Sequence, residues 1–392
     1  MLGKKVLNQL TIPSEQALPS KTRHGGSPRR AQVLCFFAVF AVLAATLAPF
    51  NPIPRNRVSW VRESPGIRIE RDGVIVSNGP LAVPENDAES YTIELLLRPA
   101  TVRGSRTILG FYVPHRGKRL LVRQYFDGLL VTHDGSIDRD RTRTTKFDVD
   151  HVFRTDRFSQ VTVSSGESGT TVYVDGQIAE EIPTFKLSRD ELSADITLGS
   201  SPVGYYPWTG DVRGLAIYSK ELTPAEALQH YSAWTEAGSK PDLNGALARY
   251  SFREQTGGLV RNEVASGVNL EIPDRFSVPH KEFLSSAIGE FEPDWRYAVD
   301  VIINIAGFVP LGVIVCASVR WFRGSRQSIV ITTIACGFLS LTIEILQYYV
   351  PRRGSGMTDI ITNTLGAAIG AALAQACPVR RCLEAVRLIP RS

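Results

Sequence analysis

The sequence of residues 31–50 is AQVLCFFAVFAVLAATLAPF, a stretch without any charged side chain. A helix rises about 1.5 Å per residue, so this stretch is long enough to cross the roughly 30 Å hydrocarbon layer of a bilayer. Three later stretches are similarly long and apolar, if polar residues near their ends are allowed: 300–319, 328–350 and 360–377. The sequence therefore predicts a small transmembrane α-helical bundle of four spans, with the lipid bilayer as a partner.

Basic residues beside these spans predict their orientation. They precede the first span, fill the loop after the second and follow the fourth: Lys4, Lys5, Lys21, Arg23, Arg29, Arg30, Arg320, Arg323, Arg326, Arg380, Arg381, Arg387 and Arg391. Because short loops rich in Lys and Arg stay on the cytoplasmic side, we expect both termini inside and residues 51–297 outside. Arg352 and Arg353 alone depart from this rule. A cleaved signal peptide is the alternative for residues 31–50, although their apolar stretch is longer than a usual signal core.

The middle of the chain has a different composition. Residues 51–297 are polar and rich in Gly, their acidic and basic residues are mixed, and none of the chain's 5 cysteines lies among them. The net charge of +5 is mild, and Asp and Glu are scattered among the Lys and Arg of the middle region, which argues against a nucleic-acid partner. A domain of this size can bury its own core without disulfides. No Cys/His cluster is present, so we predict no metal and no cofactor.

Short strand-like runs between turn signals fill this middle region, which predicts an antiparallel β-sandwich. Asp175-Gly176 lies between Val172-Tyr-Val and Gln-Ile178 and predicts a tight hairpin, because Asp and Gly tolerate the positive φ angles of a type I′ turn. Thr223 can cap a helix that begins at Pro224, with Glu226 three residues after the cap as its partner.

These residues resemble the laminin-G/concanavalin-A-like jelly-roll family. The segments that carry the resemblance are YTIE at 91–94, YVDG at 173–176, LG at 198–199, GDVRGLAIY at 210–218 and LTPAE at 222–226. The resemblance implies a jelly roll that binds a sugar or a protein. Glycanases of this family carry alternating carboxylates on one strand, whereas Glu94 is followed by three leucines, so glycoside hydrolysis is not expected.

Three aromatic residues of one loop are candidates for stacking on a sugar: Tyr205, Tyr206 and Trp208. Aromatic rings also bury well in a packed loop, which is the alternative interpretation.

Polar side chains inside the spans are costly and usually face a bundle interior or a cavity. Helical spacing predicts that they form a binding cluster on the outer side of the bundle: Asp300, Asn304, Glu344, Gln347, Arg352, Arg353, Asp359 and Asn363. In this cluster the two arginines would hold a phosphate or carboxylate, and Glu344 or Asp359 would handle a proton. The alternative is a network that only packs helices together. Gly366 and Gly370 predict a close helix contact, through which the chain could form an oligomer.

The same region resembles the VanZ-like family. The resemblance rests on Asn304, FVPLG at 308–312, Ser340, Glu344, Gln347, Arg352 or Arg353, Asp359, Asn363, Gly366 and Gly370. This family is associated with low-level resistance to a glycopeptide antibiotic, and no general biochemical activity is established for it. The resemblance therefore implies a membrane scaffold more than a reaction, and leaves open whether the chain is an enzyme.

Together these patterns predict a mixed fold in which an extracytoplasmic jelly-roll β-sandwich is inserted between the first and second spans. The predicted segments are a basic leader (1–30), the first helix (31–50), the sandwich (60–276), a linker (277–297), VanZ-like helices two to four (298–378) and a basic tail (379–392). We expect a multi-pass protein of the bacterial cytoplasmic (inner) membrane whose sandwich binds a cell-envelope glycan or a protein. The alternative is a membrane-embedded enzyme or lipid-handling protein that acts on an anionic envelope lipid or precursor.

The predicted topology can be tested by cysteine labelling in a cysteine-free background. A membrane-impermeant maleimide should label Cys at position 168 in intact cells, because the sandwich faces outward. The reagent should reach Cys at position 325 only after the membrane is permeabilised. The reverse pattern would overturn the orientation.

Overall fold

The computed structural model describes residues 28–390 except 49, 63, 86–88, 114–118, 135–145, 203, 205, 237–241, 266, 280, 282, 288–294 and 352. Predictions that concern Tyr205, Arg352, Arg391 and most of the basic leader lie outside the described residues. The chain divides into two compact units, one of residues 47–291 with 341–358, and the other of the remaining residues.

In the part of the chain that the structure describes, sixteen strands form two antiparallel sheets. They are β1 (Val58–Trp60), β2 (Ile67–Ile69), β3 (Ile75–Ser77), β4 (Tyr91–Pro99), β5 (Ser105–Tyr112), β6 (Arg119–Tyr125), β7 (Gly128–Asp134), β8 (Lys146–Val149), β9 (Ser159–Gly166), β10 (Gly169–Val174), β11 (Gln177–Ile182), β12 (Asp195–Leu198), β13 (Gly210–Tyr218), β14 (Ala246–Tyr250), β15 (Leu259–Val260) and β16 (Leu270–Glu271). The first sheet has the order β1-β2-β13-β4-β9-β10-β11, with β14 also paired to β13. The second has the order β15-β16-β3-β12-β5-β6-β7-β8. The predicted sandwich is confirmed.

The core of the sandwich is built from alternate residues of both sheets. Ile93 and Leu95 on β4 and Phe111 and Leu120 on the second sheet belong to one buried apolar cluster. Side chains of successive strand residues point to opposite faces, so the alternate residues of β4 face the other way.

The predicted hairpin is confirmed between β10 and β11. Asp175 and Gly176 both have positive φ, 51° and 76°, and Val174 pairs with Gln177 across the turn. Both central residues of a type I′ turn require this backbone conformation, and it is the one that Asp and Gly tolerate best.

Two helices belong to the sandwich: α2 (Arg189–Leu192) and α3 (Pro224–Thr235). The predicted cap of α3 is confirmed, because the Glu226 N–H donates to Thr223 Oγ1 and the Thr223 N–H donates to the Glu226 carboxylate. The hydrogen bond from the Thr223 backbone is the main cause that lowers the pKa of Glu226 to about 2.

A buried carboxylate fastens α3 to the first sheet. Glu94 on β4 is fully buried, and its two oxygens bond His230 Nδ1 and Trp234 Nε1, both at 2.9 Å. Removing the partners of a buried charge costs about 3–5 kcal/mol. Glu94 therefore packs α3 against the first sheet.

Five further helices make up the membrane part. They are α1 (Pro28–Leu47), α4 (Trp295–Val319), α5 (Ser325–Tyr348), α6 (Met357–Leu373) and α7 (Cys377–Ala385). Within the described residues, three of these helices are long and apolar enough to cross a membrane, and α6 with α7 makes a fourth candidate that is bent by 76°. Phe36, Phe37 and Phe40 on α1 are exposed, as expected for side chains that face lipid.

The fourth span differs from its predicted bounds of 360–377. The α6 helix ends at Leu373, and α7 begins at Cys377 with Pro378 in its first turn. A proline there cannot donate a hydrogen bond to continue the preceding helix, so the chain breaks and turns. At about 1.5 Å per residue, α6 alone is slightly shorter than the hydrocarbon layer.

Glycines bring α4 and α6 to backbone contact. An added Cβ on Gly366 would lie 2.3 Å from the Ile305 carbonyl oxygen, and one on Gly370 would lie 2.1 Å from that of Val309. The predicted close contact at the Gly366/Gly370 face is thus made within the chain, by α4. An oligomer through this face stays a prediction.

The sandwich should fold without the helices. Asn56 N–H donates to the Asp274 carbonyl at 3.1 Å and Phe276 N–H donates to that of Pro54 at 3.0 Å, so the chain enters and leaves the sandwich side by side. A fragment of residues 53–277 should be soluble, give a β-rich circular dichroism spectrum and unfold identically with and without reductant. A disordered or reductant-sensitive fragment would contradict this expectation.

The glycine contact should be sensitive to a single methyl group. Gly366→Ala and Gly370→Ala should each lower the free energy of unfolding by about 1–3 kcal/mol, because the helices must separate to admit the Cβ. Gly307→Ala is the matched control on α4, since its Cβ would meet nothing within 4 Å. Thermal unfolding in detergent micelles measures the stability of the three variants. Equal stability of all three would show that α4 and α6 are not in tight contact at these glycines.

Candidate functional site

The polar side chains of the second compact unit pair with one another across helices. Asn304 Nδ2 on α4 donates to Asp359 Oδ1 on α6 at 2.7 Å, and Asn363 Nδ2 on α6 donates to Ser340 Oγ on α5 at 3.0 Å. Asn363 and Ser340 are buried. Amides and hydroxyls are costly in hydrocarbon unless they find such partners. These four residues therefore make interhelical contacts that do not need a ligand.

Glu344 bonds the backbone of the chain. Its side chain is fully buried, and Oε2 accepts the backbone N–H of Gly356 at 2.9 Å. Gly356 lies in the short segment between α5 and α6, so the carboxylate holds this turn close to the end of α5. In this contact Glu344 needs an acceptor oxygen for the Gly356 N–H.

Lys281, which precedes α4 in the chain, is a further polar residue that contacts the end of α5. Its Nζ donates to the carbonyl oxygens of Gln347 and Val350, at 2.8 and 2.5 Å, where α5 ends. Cations are favourable at helix C-termini because the last carbonyls lack partners. Burial lowers the pKa of Lys281 to about 8. No local pattern marked Lys281, because its partners are more than 60 positions away.

The other predicted binding residues have separate surroundings. Asp300 is exposed on α4, and Gln347 is buried at the end of α5. Arg353 is exposed and donates from Nη2 to the Ala48 carbonyl at 2.9 Å. Arg352 lies outside the described residues. A binding role for the eight predicted residues stays a prediction.

In the sandwich, the prediction that Trp208 stacks on a sugar is wrong. Its ring is fully buried and Nε1 donates to Gln124 Oε1 at 2.8 Å, so no ligand can reach either face. The packed-loop alternative holds for this residue, because a large ring gains most by burial. Tyr206 is 51% exposed, with the Arg123 guanidinium 4.8 Å from its ring centroid. Its stacking role stays a prediction.

A row of charges crosses three strands of the first sheet. Asp211 on β13 lies opposite Arg68 on β2 and opposite Arg98 on β4. Arg68 donates from Nε and Nη2 to the Asp211 carboxylate at 2.7 and 3.1 Å, and Arg98 donates from Nη2 at 2.7 Å. Burial would raise the pKa of Asp211, but the hydrogen bonds from both arginines outweigh it and lower that pKa.

A third arginine lies beside this row. Arg213 follows Asp211 by two residues, at a β-bulge between Val212 and Gly214, and its Nη2 donates to Ser64 Oγ at 3.1 Å. Bulges redirect side chains and are frequent at binding sites. Arg213 and Asp211 line the same cavity.

These arginines line a cavity of about 240 Å³, here named the arginine cavity. Its described lining is Val61, Ser64, Pro65, Gly66, Arg68, Arg98, Phe158, Asp211 and Arg213. A shallower depression of about 540 Å³ continues on the other side of Arg68 and Arg98. Asp211 and Arg213 belong to the motif at 210–218, but the motif alone does not indicate a cavity. Arg68 and Arg98 come from strands that are distant in the chain.

The comparisons with known proteins match the chain in two parts. Residues 249–378 match the VanZ/LLP1 family, and residues 71–227 match the concanavalin A-like lectin/glucanases superfamily. No curated protein is significantly similar to the chain.

Solved structures resemble the chain only distantly. A Bacteroides ovatus protein described as carbohydrate-binding is 15% identical with a TM-score of 0.38, and the match covers 55% of this chain and 61% of that protein. The CBM40 module of a Ruminococcus gnavus IT-sialidase, bound to α2,3-sialyllactose, is 14% identical with a TM-score of 0.33, and the match covers 43% of this chain and 97% of the module. Neither similarity assigns a ligand to this chain. The family matches confirm the resemblance predicted from the sequence, that of a VanZ-like membrane protein with an inserted laminin-G/concanavalin-A-like jelly roll.

Proposed function

We propose that the protein binds a glycan of the bacterial cell envelope through its sandwich, and that the helices anchor this domain in the cytoplasmic membrane. The single observation that best supports the proposal is the arginine cavity, an open depression on the sandwich with charged and aromatic side chains in its lining. Concave sites with a few convergent polar groups are the usual places for small ligands.

The helices support the anchoring part of this proposal. Asn304 pairs with Asp359, Asn363 with Ser340, and Glu344 with the Gly356 N–H. A catalytic or transport site would need some of these groups to face a substrate, whereas each has a contact that stabilises the helices themselves.

The placement of the sandwich outside the membrane rests on charge. Arg323 and Arg326 are exposed where α4 is joined to α5, and Arg381 and Arg387 are exposed at the end of the chain. Because such basic clusters stay in the cytoplasm, the sandwich would lie on the opposite side of the membrane. On that side its ligand would be an envelope component.

The alternative function, a membrane-embedded enzyme or lipid-handling protein, makes a different demand on Glu344. A proton carrier or cation ligand there needs an ionisable group, whereas a packing residue needs only an acceptor for the Gly356 N–H. Glutamine keeps the acceptor and loses the charge, so Glu344→Gln separates the two functions.

Binding and complementation together test the proposal. Full-length protein in detergent should bind saturably to at least one polysaccharide on an array of neutral and acidic envelope glycans. Glu344→Gln should bind equally well and should restore the phenotype of a deletion strain, while a chain lacking residues 53–277 should fail at both. Absence of binding to every glycan would refute the proposal. A folded Glu344→Gln protein without activity in cells would favour the alternative function.

A further inference from the structure

The arginine cavity carries an excess of positive charge. Its described lining contains three arginines and one carboxylate, a net charge of +2. Asp211 is shared by Arg68 and Arg98, and its side chain is only 8% exposed. This carboxylate can offset one guanidinium, and the described lining of the cavity holds no second carboxylate for the other two.

Arg213 has the clearest need for an anion. Its hydrogen-bond partner is the neutral hydroxyl of Ser64, and no carboxylate of the described residues lies within salt-bridge distance of its guanidinium. Burial, and then the charge of Arg98, lower the pKa of Arg213. Burial and the charge of Arg98 both disfavour the charged form of Arg213. An anion between Arg98 and Arg213 would reduce the repulsion between their guanidinium groups.

The arginines are held in a fixed arrangement. The guanidinium carbons of Arg98 and Arg213 lie 4.9 and 4.0 Å from the centroid of Phe158. Asp211 fixes Arg98 from one side, and the ring supports both arginines through cation–π contact. Because little side-chain freedom remains to be lost, these groups are preorganised for a ligand. Arginine is suited to carboxylates because its planar fork can donate two parallel hydrogen bonds.

We propose that the arginine cavity binds the carboxylate of an acidic sugar residue, with Arg213 and Arg98 as its direct ligands. This inference rests on the proposed glycan-binding function and names the class of glycan. Asp211 then acts as a positioning residue: it offsets one charge and orients Arg68 and Arg98, so that Arg213 remains for the ligand. Val61, Pro65 and Gly66 give the cavity an uncharged wall against which a sugar ring can lie.

The test uses full-length protein in detergent at physiological salt. Polygalacturonate is the carboxylate probe, dextran sulfate and polyglycerol phosphate carry other anions, and dextran is neutral. Polygalacturonate should bind more tightly than the other three. Arg213→Gln should weaken its binding about tenfold or more, since hydrogen bonds to charged groups are lost. Arg213→Lys should lose most of the same affinity because lysine lacks the fork.

Arg261→Gln is the matched control, since it removes the same charge from an exposed position of the sandwich outside the cavity lining. It should leave binding unchanged. Thermal unfolding verifies that each variant is folded; if Arg213→Gln is not, Arg213→Lys carries the comparison.

Each other outcome overturns the inference in a distinct way. Tight binding of dextran that survives Arg213→Gln would refute the acidic ligand but keep the glycan-binding function. A preference for the sulfate or phosphate polymer would refute the carboxylate. Equal losses in Arg213→Gln and Arg261→Gln would show general attraction to polyanions. Absence of binding to any probe or any array glycan would refute both proposals.

Discussion

In a bilayer no water is available to a buried polar group, so every amide and carboxylate within the helices must find its partner in the protein. The pairs Asn304–Asp359 and Asn363–Ser340 satisfy this constraint by joining helices. The helices can form such pairs because Gly366 and Gly370 allow the backbones of α4 and α6 to touch. Small residues and polar pairs thus act together: the first bring the helices close, and the second fix which residues face each other.

Burial away from water makes a similar demand on two glutamates of the described residues, one in the sandwich and one in the helices. Glu94 bonds side chains of α3, and Glu344 bonds a backbone N–H in the turn before α6. Glu94 thereby holds α3 against the first sheet, and Glu344 holds the turn before α6. A buried carboxylate by itself is therefore weak evidence for catalysis in this protein.

The arginine cavity differs from these sites because its charges remain accessible and unequal. Asp211 is buried, whereas the side chain of Arg68 is half-exposed and that of Arg98 is 35% exposed. A packing network would be expected to pair its polar groups, as Glu94 does through its bonds to His230 and Trp234. The surplus of guanidinium groups around Phe158 distinguishes this candidate site from the buried contact of Glu94 with α3.

The features that depend on neighbouring residues could be predicted from the sequence. Continuous apolar length predicted the spans, and the tolerance of Asp175 and Gly176 for positive φ predicted the hairpin. The capping residues Thr223 and Glu226 predicted the start of α3. Each of these rests on backbone preferences or transfer free energies that act over a few positions.

Contacts between residues that are distant in the chain could not be predicted from the sequence. Asp211 lies 143 positions from Arg68 and 113 from Arg98, and nothing local specifies that β13 lies between β2 and β4. Strand order and register follow from how the whole core packs, and a shift of one residue would turn Asp211 to the opposite face. The burial of Trp208 and the position of Lys281 also depend on partners that are distant in the chain. The sequence could therefore name the two parts of this protein, but only long-range packing could create its candidate site.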